Sequence, residues 1–318
     1  MKILFTCVGR RVELVQEFKK AGKELGLPLT VCATDMTNTA PAAYFCDEIF
    51  IAPRISDENY LPFLLELCQK EKVDALIPTI DTDLLLLAKN RERFEKIGTK
   101  VLVANEDKIA ICRDKRKTSG YFESLGLSAP KPFAKAEEYD LGFPAFIKPM
   151  DGSSSIDAYK VKNQEELFTY AEKIGEGKYV VQPFIDGEEY TVDIFCNLLG
   201  EPIYITPRIR LAVRAGEVLK TQIRQDEKTV AEMQKLVADF KPRGGCTVQL
   251  IKDKKTGENY YIEINPRFGG GAPLSMKAGA NSAKALIRIL QGERVEYEPS
   301  AADDLAIFSR FDQSVRVN

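Results

Sequence analysis

Two strand-like runs late in the chain, Val248-Gln249-Leu250-Ile251 and Tyr261-Ile262-Glu263-Ile264-Asn265, can bring three oxygen-bearing side chains together. Between them lies Lys254-Lys255-Thr256-Gly257-Glu258, whose glycine suits the left-handed position of a short hairpin loop. Folding about Thr256 sets Gln249 opposite Glu263, and strand alternation turns Glu263 and Asn265 to the same face. One carboxylate and two amide oxygens form a hard donor set suited to Mg²⁺ (or Mn²⁺), with Arg267 close by. Such an ion keeps waters and shares phosphate oxygens, so the patch reads as a metal–nucleotide site. An isolated E-x-N hairpin is more often a solvated surface face. The rest of the chain changes that balance.

There is no histidine among the 318 residues. That excludes Ser-His-Asp and Cys-His nucleophiles, histidine-held metals and imidazole acid–base chemistry. Phosphoryl transfer tolerates the restriction, because it runs on positioning and electrostatic stabilisation by lysines, arginines and metal. The seven cysteines are scattered without a C-x-x-C pair, the usage of a reducing compartment, so a cytoplasmic protein is expected. A formal net charge of −2 offers neither a nucleic-acid surface nor a polybasic membrane patch, and no apolar run approaches membrane-spanning length.

The elements that must position these residues fall into two styles. Up to about residue 104, strands at 2–8, 29–33, 48–51, 73–78 and 100–104 alternate with helices at 11–25, 58–70 and 82–94, the pattern of a parallel α/β sheet. The first turn, Cys7-Val8-Gly9-Arg10-Arg11, has one glycine where a dinucleotide fingerprint needs three, which argues against NAD. Arg10 and Arg11 at that helix start could hold an anion or lie solvated at a surface turn. From about 105 come helix 109–125 and a Pro130–Pro132 linker. Strands then run at 143–149, 156–161, 179–185, 189–197 and 202–210, with helices 164–174, 227–239 and 274–290 and a last strand near 306–310. Short connections here favour antiparallel pairing in an α+β pair of lobes.

Four features line up in order: Lys115 in Asp114-Lys115, Lys148 in Phe143-Pro144-Ala145-Phe146-Ile147-Lys148-Pro149, Gln182-Pro183-Phe184-Ile185 leading into Gly187-Glu188-Glu189-Tyr190-Thr191-Val192-Asp193, and the metal hairpin. With the Asp151-Gly152-Ser153-Ser154-Ser155 loop, this order resembles the ATP-grasp superfamily. It is most similar to one synthetase half of the carbamoyl-phosphate synthase large subunit and its relatives. The resemblance implies an α/β fold: an N-terminal parallel-sheet, Rossmann-like pre-ATP-grasp domain (1–104), then a two-lobed α+β ATP-grasp domain (105–185 and 186–318). It implies that Lys115 and Lys148 contact the α- and β-phosphates and that Ser153, Ser154 and Ser155 fold over them. Gln182, Pro183, Phe184 and Ile185 would read the adenine, and Glu189 the ribose. Gln249, Glu263 and Asn265 would hold Mg²⁺, and Arg267 would stabilise the transferring phosphoryl group.

A second cluster points to substrate. Arg208 and Arg210 share a strand face and could grip a carboxylate or acyl phosphate, with Lys220 near them and Gly270 in a loop entering a helix; as surface charge these would mean nothing. The leading expectation is an ADP-forming ligase that activates a carboxylate as an acyl phosphate for attack by an amine or similar nucleophile. The rivals are a split carbamoyl-phosphate-synthase-like subunit acting on bicarbonate or carbamate with a partner chain, and a non-catalytic ATP sensor. The expected partners are small-molecule carboxylates and amines, with a partner subunit or a homodimer left open. Against the family it resembles, the sequence reads as one synthetase half, with no second repeat, biotin site or Cys-His glutaminase, so a full synthase is not expected of this polypeptide alone.

Overall fold

The computed structural model describes residues 1–150 and 157–317. The N-terminal part is a five-stranded parallel sheet of β1 (Lys2–Thr6), β2 (Thr30–Asp35), β3 (Glu48–Ile51), β4 (Ala75–Pro78) and β5 (Lys100–Val101), in the order β3-β2-β1-β4-β5. Helices α1 (Val12–Glu24), α2 (Tyr60–Glu71) and α3 (Leu84–Lys96) connect the strands. The sheet is sealed on both faces, so Ile3, Leu4 and Phe5 are all fully buried although adjacent along β1. The strand order reverses between β1 and β4, and the loops leaving these two strands face the rest of the molecule.

Two further helices, α4 (Glu106–Cys112) and α5 (Lys115–Ser124), lead away from this sheet. The single helix 109–125 anticipated from the sequence is therefore broken. Asp114 leaves helical geometry and its side chain accepts a hydrogen bond from the Arg116 amide at 2.9 Å, capping α5 and placing Lys115 on its first turn.

The following lobe is a small antiparallel sheet, β7-β6-β8, formed by β6 (Ala145–Pro149), β7 (Tyr159–Val161) and β8 (Tyr179–Pro183), backed by α6 (Gln164–Ile174). It has its own core, including Phe133, Ile147, Leu167 and Val181. The larger lobe is a six-stranded antiparallel sheet, β13-β12-β9-β10-β11-β14. Its strands are β9 (Gly187–Cys196), β10 (Pro202–Arg214), β11 (Glu217–Ile223), β12 (Gly244–Asp253), β13 (Asn259–Asn265) and β14 (Ile307–Ser309). One hydrophobic cluster joins Leu4 and Leu76 of the parallel sheet to Val192, Val248 and Phe240 of this larger lobe. The small lobe stands on a separate core, the larger on one shared with the N-terminal sheet.

Helix α7 (Glu227–Phe240) packs on the large sheet, followed after the hairpin by α8 (Ala272–Lys277) and α9 (Ser282–Leu290). A continuous helix over 274–290 does not form. Gly279 takes φ +126°, and a Cβ there would stand 2.2 Å from the Ala301 carbonyl oxygen, so the chain turns before Asn281 caps α9. The fold is thus an α/β protein whose N-terminal parallel sheet precedes a two-lobed unit built on antiparallel sheets. No described helix is long and apolar enough to cross a membrane. All seven cysteines are unpaired.

Candidate active site

A cleft of about 280 Å³ opens where the small and large lobes meet. Lys115 enters from α5 and Lys148 from the end of β6. Lys115 Nζ reaches the Met150 carbonyl at 3.4 Å. Burial, with Lys115 nearby, lowers the Lys148 pKa to about 8 against the opposing pull of Glu263. Two amines held together in a partly dry cleft are primed for an anion.

The segment from β8 to β9 forms another wall, with Gln182, Pro183, Phe184 and Ile185 all lining the cleft. Gln182 is almost fully buried, and its Nε2 donates to the Pro130 carbonyl at 2.9 Å. Its side chain thereby fixes the proline linker behind the wall. Lys160 Nζ stands 3.7 Å from the Phe184 ring centroid, a cation–π contact from β7. Glu189 faces the cleft with its Oε2 3.6 Å from Arg210 Nη1, while Arg210 Nη2 donates to the Gly216 carbonyl at 2.8 Å.

The hairpin forms the floor. Gln249 pairs with Glu263 and Thr247 with Asn265, and Gly257 occupies the left-handed region at φ +68°. Symmetry about Thr256 ends there: Leu250 pairs with Tyr261 and Ile251 with Tyr260, a one-residue bulge at Ile262. The bulge lets Ile262 and Glu263 both face the cleft beside Gln249 and Ile251. Among the described residues, the Gln249 and Glu263 side chains make no hydrogen bond, and no group of three or more Asp, Glu, Cys or His is arranged to hold a metal ion by itself. A single carboxylate with two amide oxygens fits Mg²⁺ only if phosphate oxygens and waters complete the shell. Asn265 Oδ1 accepts from Arg267 Nη2 at 3.3 Å.

The substrate cluster is divided. Arg210 lines the cleft, but Arg208 is 2% exposed, with its Nε donating to Asp193 Oδ2 at 2.8 Å. Ser275 Oγ donates to the same oxygen at 2.7 Å, so Arg208 is tied down beneath the Gly269–Gly271 turn, while its charge still opposes that of Arg210 on the same strand. Lys220 is exposed on β11, paired with Ala212 on one side and Ser309 on the other, and does not line the cleft. Gly270 lies against Arg11 and Glu217. Ser153, Ser154 and Ser155 lie outside the described residues.

The sequence reading missed Asp81, Glu217 and Lys160, and left Arg11 open. Asp81 lies just beyond β4 at the carboxyl edge of the parallel sheet, where α/β folds place ligand-binding loops, and that position was the available signal.

Residues 112–271 match the sequence model of the ATP-grasp domain, and residues 3–102 that of the PylC-like N-terminal domain. The carbamoyl phosphate synthase large chain of Pasteurella multocida is 24% identical over 302 residues, covering 81% of this chain and 27% of that protein. Its counterpart labelled N-terminal section in Aquifex aeolicus is 25% identical over 299 residues, covering 81% of this chain and 51% of that one. The chain thus spans about a quarter to a half of these relatives. Among solved structures, the biotin carboxylase domain dimer of Hydrogenobacter thermophilus 2-oxoglutarate carboxylase, in complex with MgADP, ADP and bicarbonate, superposes with TM-score 0.73 at 21% identity. The match covers 96% of this chain and 73% of that one. Staphylococcus aureus N5-carboxyaminoimidazole synthetase complexed with ADP gives TM-score 0.74 at 17% identity, over 93% and 78% of the two chains. These likenesses concern the fold.

Proposed function

The chain belongs to the ATP-grasp family, and we propose that it is an ATP- and Mg²⁺-dependent, ADP-forming ligase that joins a carboxylate to an amine or similar nucleophile. The observation that carries this reading is the convergence of Lys115, Lys148, Glu189, Gln249 and Glu263 on one cleft between two lobes. In this reading residues 1–104 form the preceding domain, and ATP lies between lobes 105–185 and 186–318.

The Gln182–Ile185 wall would take the adenine, with main-chain groups reading its edge and Phe184 and Ile185 beside its faces. Glu189 would accept from the ribose hydroxyls. Lys115 and Lys148 would follow the phosphates as mobile point charges, without the fixed fork of a guanidinium. Gln249, Glu263 and Asn265 would hold Mg²⁺, which supplies charge neutralisation to the phosphates when bound. The substrate carboxylate would attack the γ-phosphorus, forming an acyl phosphate and releasing ADP. The amine would then attack the acyl carbon and expel phosphate. Arg267 would stabilise charge during the first step, and closure of the small lobe would keep water from the acyl phosphate. Seven unpaired cysteines support a reducing, cytoplasmic setting.

The test is release of ADP and phosphate from Mg–ATP across amino acids, dipeptides, small dicarboxylates and bicarbonate, each with and without amines. Release that requires both a carboxylate and an amine, and that is lost in Glu263→Ala, is the expected result. Release driven by bicarbonate and ammonia would favour the carbamoyl-phosphate-synthase-like reading, with a partner subunit or second copy to be sought. Nucleotide binding without release under any combination would replace the ligase by a sensor.

A further inference from the structure

A side chain of the N-terminal domain reaches the β10–β11 hairpin, whose turn residue Gly216 lines the cleft. Arg11, immediately before α1, donates through Nη1 to Glu217 Oε1 at 3.3 Å across 206 residues of chain. Among the described residues this is the one hydrogen bond of its side chain. Glu217 is 51% exposed and also lies 3.6 Å from Arg310 Nη1. Burial and the proximity of Arg267 push the Arg11 guanidinium below its ordinary pKa. Arg267 has Asp81 against it at 2.6 Å, whereas the Arg11 side chain has one ion pair, at 3.3 Å, and feels Asp81 only from further off. Guanidiniums gathered in a half-dry site repel one another unless an anion lies among them.

The turn beside them is shaped for close approach. A Cβ at Gly270 would stand 2.1 Å from Glu217 Oε2 and 2.7 Å from Arg11 Nη1, and Gly270 is not in the left-handed region, so space and not backbone freedom calls for glycine. A Cβ at Gly271 would stand 2.4 Å from Arg208 Nη2, and the buried Nη1 of Arg208 has no hydrogen-bond acceptor among the described residues. Gly216, the residue before Glu217, lines the nucleotide cleft. Gly216 lies in the turn that joins β10 to β11, so Glu217, the first residue of β11, directly follows a cleft residue along the chain.

We propose that Arg11 is a specificity-determining, substrate-binding residue: it takes an anionic oxygen group of the second substrate, a carboxylate or a phosphate, in exchange for Glu217. Glu217 remains held by Arg310 when displaced. A substrate without such a group leaves the Arg11–Glu217 pair closed and is selected against. The proposal rests on the ligase reading of the same site.

The two partners then act in opposite directions, which a purely structural ion pair would not do. The full chain is titrated with inorganic phosphate and, separately, with succinate, in the presence of saturating MgADP, and binding is read by thermal shift and calorimetry. Wild type is expected to bind at least one of the two saturably, and the probe that binds separates a phosphate-bearing from a carboxylate-bearing substrate. Arg11→Ala should weaken that binding about 10-fold, with partial recovery in Arg11→Lys, and Glu217→Gln should tighten it about 3-fold. Arg294→Ala, an exposed arginine paired with Glu296 and not lining the cleft, should leave it intact. Equal affinities in all variants, shifts of both partners in the same direction, an equal loss in Arg294→Ala, or no binding of either probe to wild type would each overturn the assignment. Should Arg11→Ala fail to fold, the sign of the Glu217→Gln effect decides. MgADP alone reports on the nucleotide reading: if it shifts no melting temperature that reading falls, while the comparison of Arg11 and Glu217 variants still stands by itself.

Discussion

Asp81 of the N-terminal domain holds Arg267, just beyond β13, through two hydrogen bonds to one oxygen, from Nη2 at 2.6 Å and from Nε at 3.1 Å. The arginine assigned to the transferring phosphoryl group is thus aimed by a carboxylate from a different sheet. Arg267 is largely shielded from solvent, and its Nη1 and Nη2 also reach the Phe268 carbonyl and Asn265 Oδ1 at 3.3 Å. Loss of Asp81 would leave it in place but free to tilt. Asp81→Asn is expected to lower kcat about 10- to 100-fold with little change in KM for ATP, and Asp81→Glu to recover part of it. Steady-state ADP release measures both. An equal rise in KM for ATP with kcat unchanged would mean that Asp81 serves nucleotide binding instead.

Deeper in the same domain, Asp83 is fully buried at the start of α3. Its Oδ2 accepts from Thr6 Oγ1 at 2.7 Å and Tyr60 OH at 3.1 Å, and its Oδ1 has no hydrogen bond among the described residues. Burial raises its pKa to about 6, although both hydroxyls favour the charged form. Between about pH 4 and 6 the native state therefore keeps a proton that the unfolded chain has lost. This group's contribution makes stability fall as pH rises through that window and level off above it, by at most about 3 kcal/mol. Urea unfolding of wild type and Asp83→Asn across pH 4 to 7 checks this: the difference between the two curves should change in that window. Parallel curves would show the carboxylate charged throughout.

What the sequence disclosed, and what it hid, follows from the range of the interactions. The pairing of Gln249 with Glu263 was legible because a strand repeats every two residues and Gly257 marks the turn. The bulge at Ile262 was not, since no residue type announces it. The break at Asp114 carried a readable capping signal that the apolar pattern of helix 109–125 outweighed. β11 escaped because Glu217, Lys220, Thr221 and Gln222 leave too little apolar alternation to mark a strand, which is set by pairing with β10 and β14. Arg267 with Asp81 and Arg11 with Glu217 span 186 and 206 residues, and ion pairs at that separation leave no periodicity to detect. The chemistry was local to motifs, and its aiming was not.

Lys148 shows how the cleft sets binding against stability. Its pKa near 8 means that at neutral pH the native protein carries a half-buried ammonium that the unfolded chain would hold in water. The unfolded state keeps this proton up to its ordinary pKa near 10.5, so the cost of the charge is full below about pH 8 and fades as pH rises from 8 toward 10.5. At full extent it is roughly 3 kcal/mol. Lys148→Met is therefore expected to melt higher than wild type at pH 7 while ATP affinity falls about 10- to 100-fold. Above pH 8 wild type must also regain the proton when phosphates arrive, because an adjacent anion favours the ammonium. Calorimetry in two buffers of different ionisation enthalpy should show proton uptake linked to Lys148 on nucleotide binding at pH 8.5 and none at pH 6.5, with this difference absent in Lys148→Met. A variant that melts lower, or binding with the same linked protons at both pH values, would place the ammonium in an already compensated site. The lysine would then be a structural contact instead of a charge held ready for phosphate.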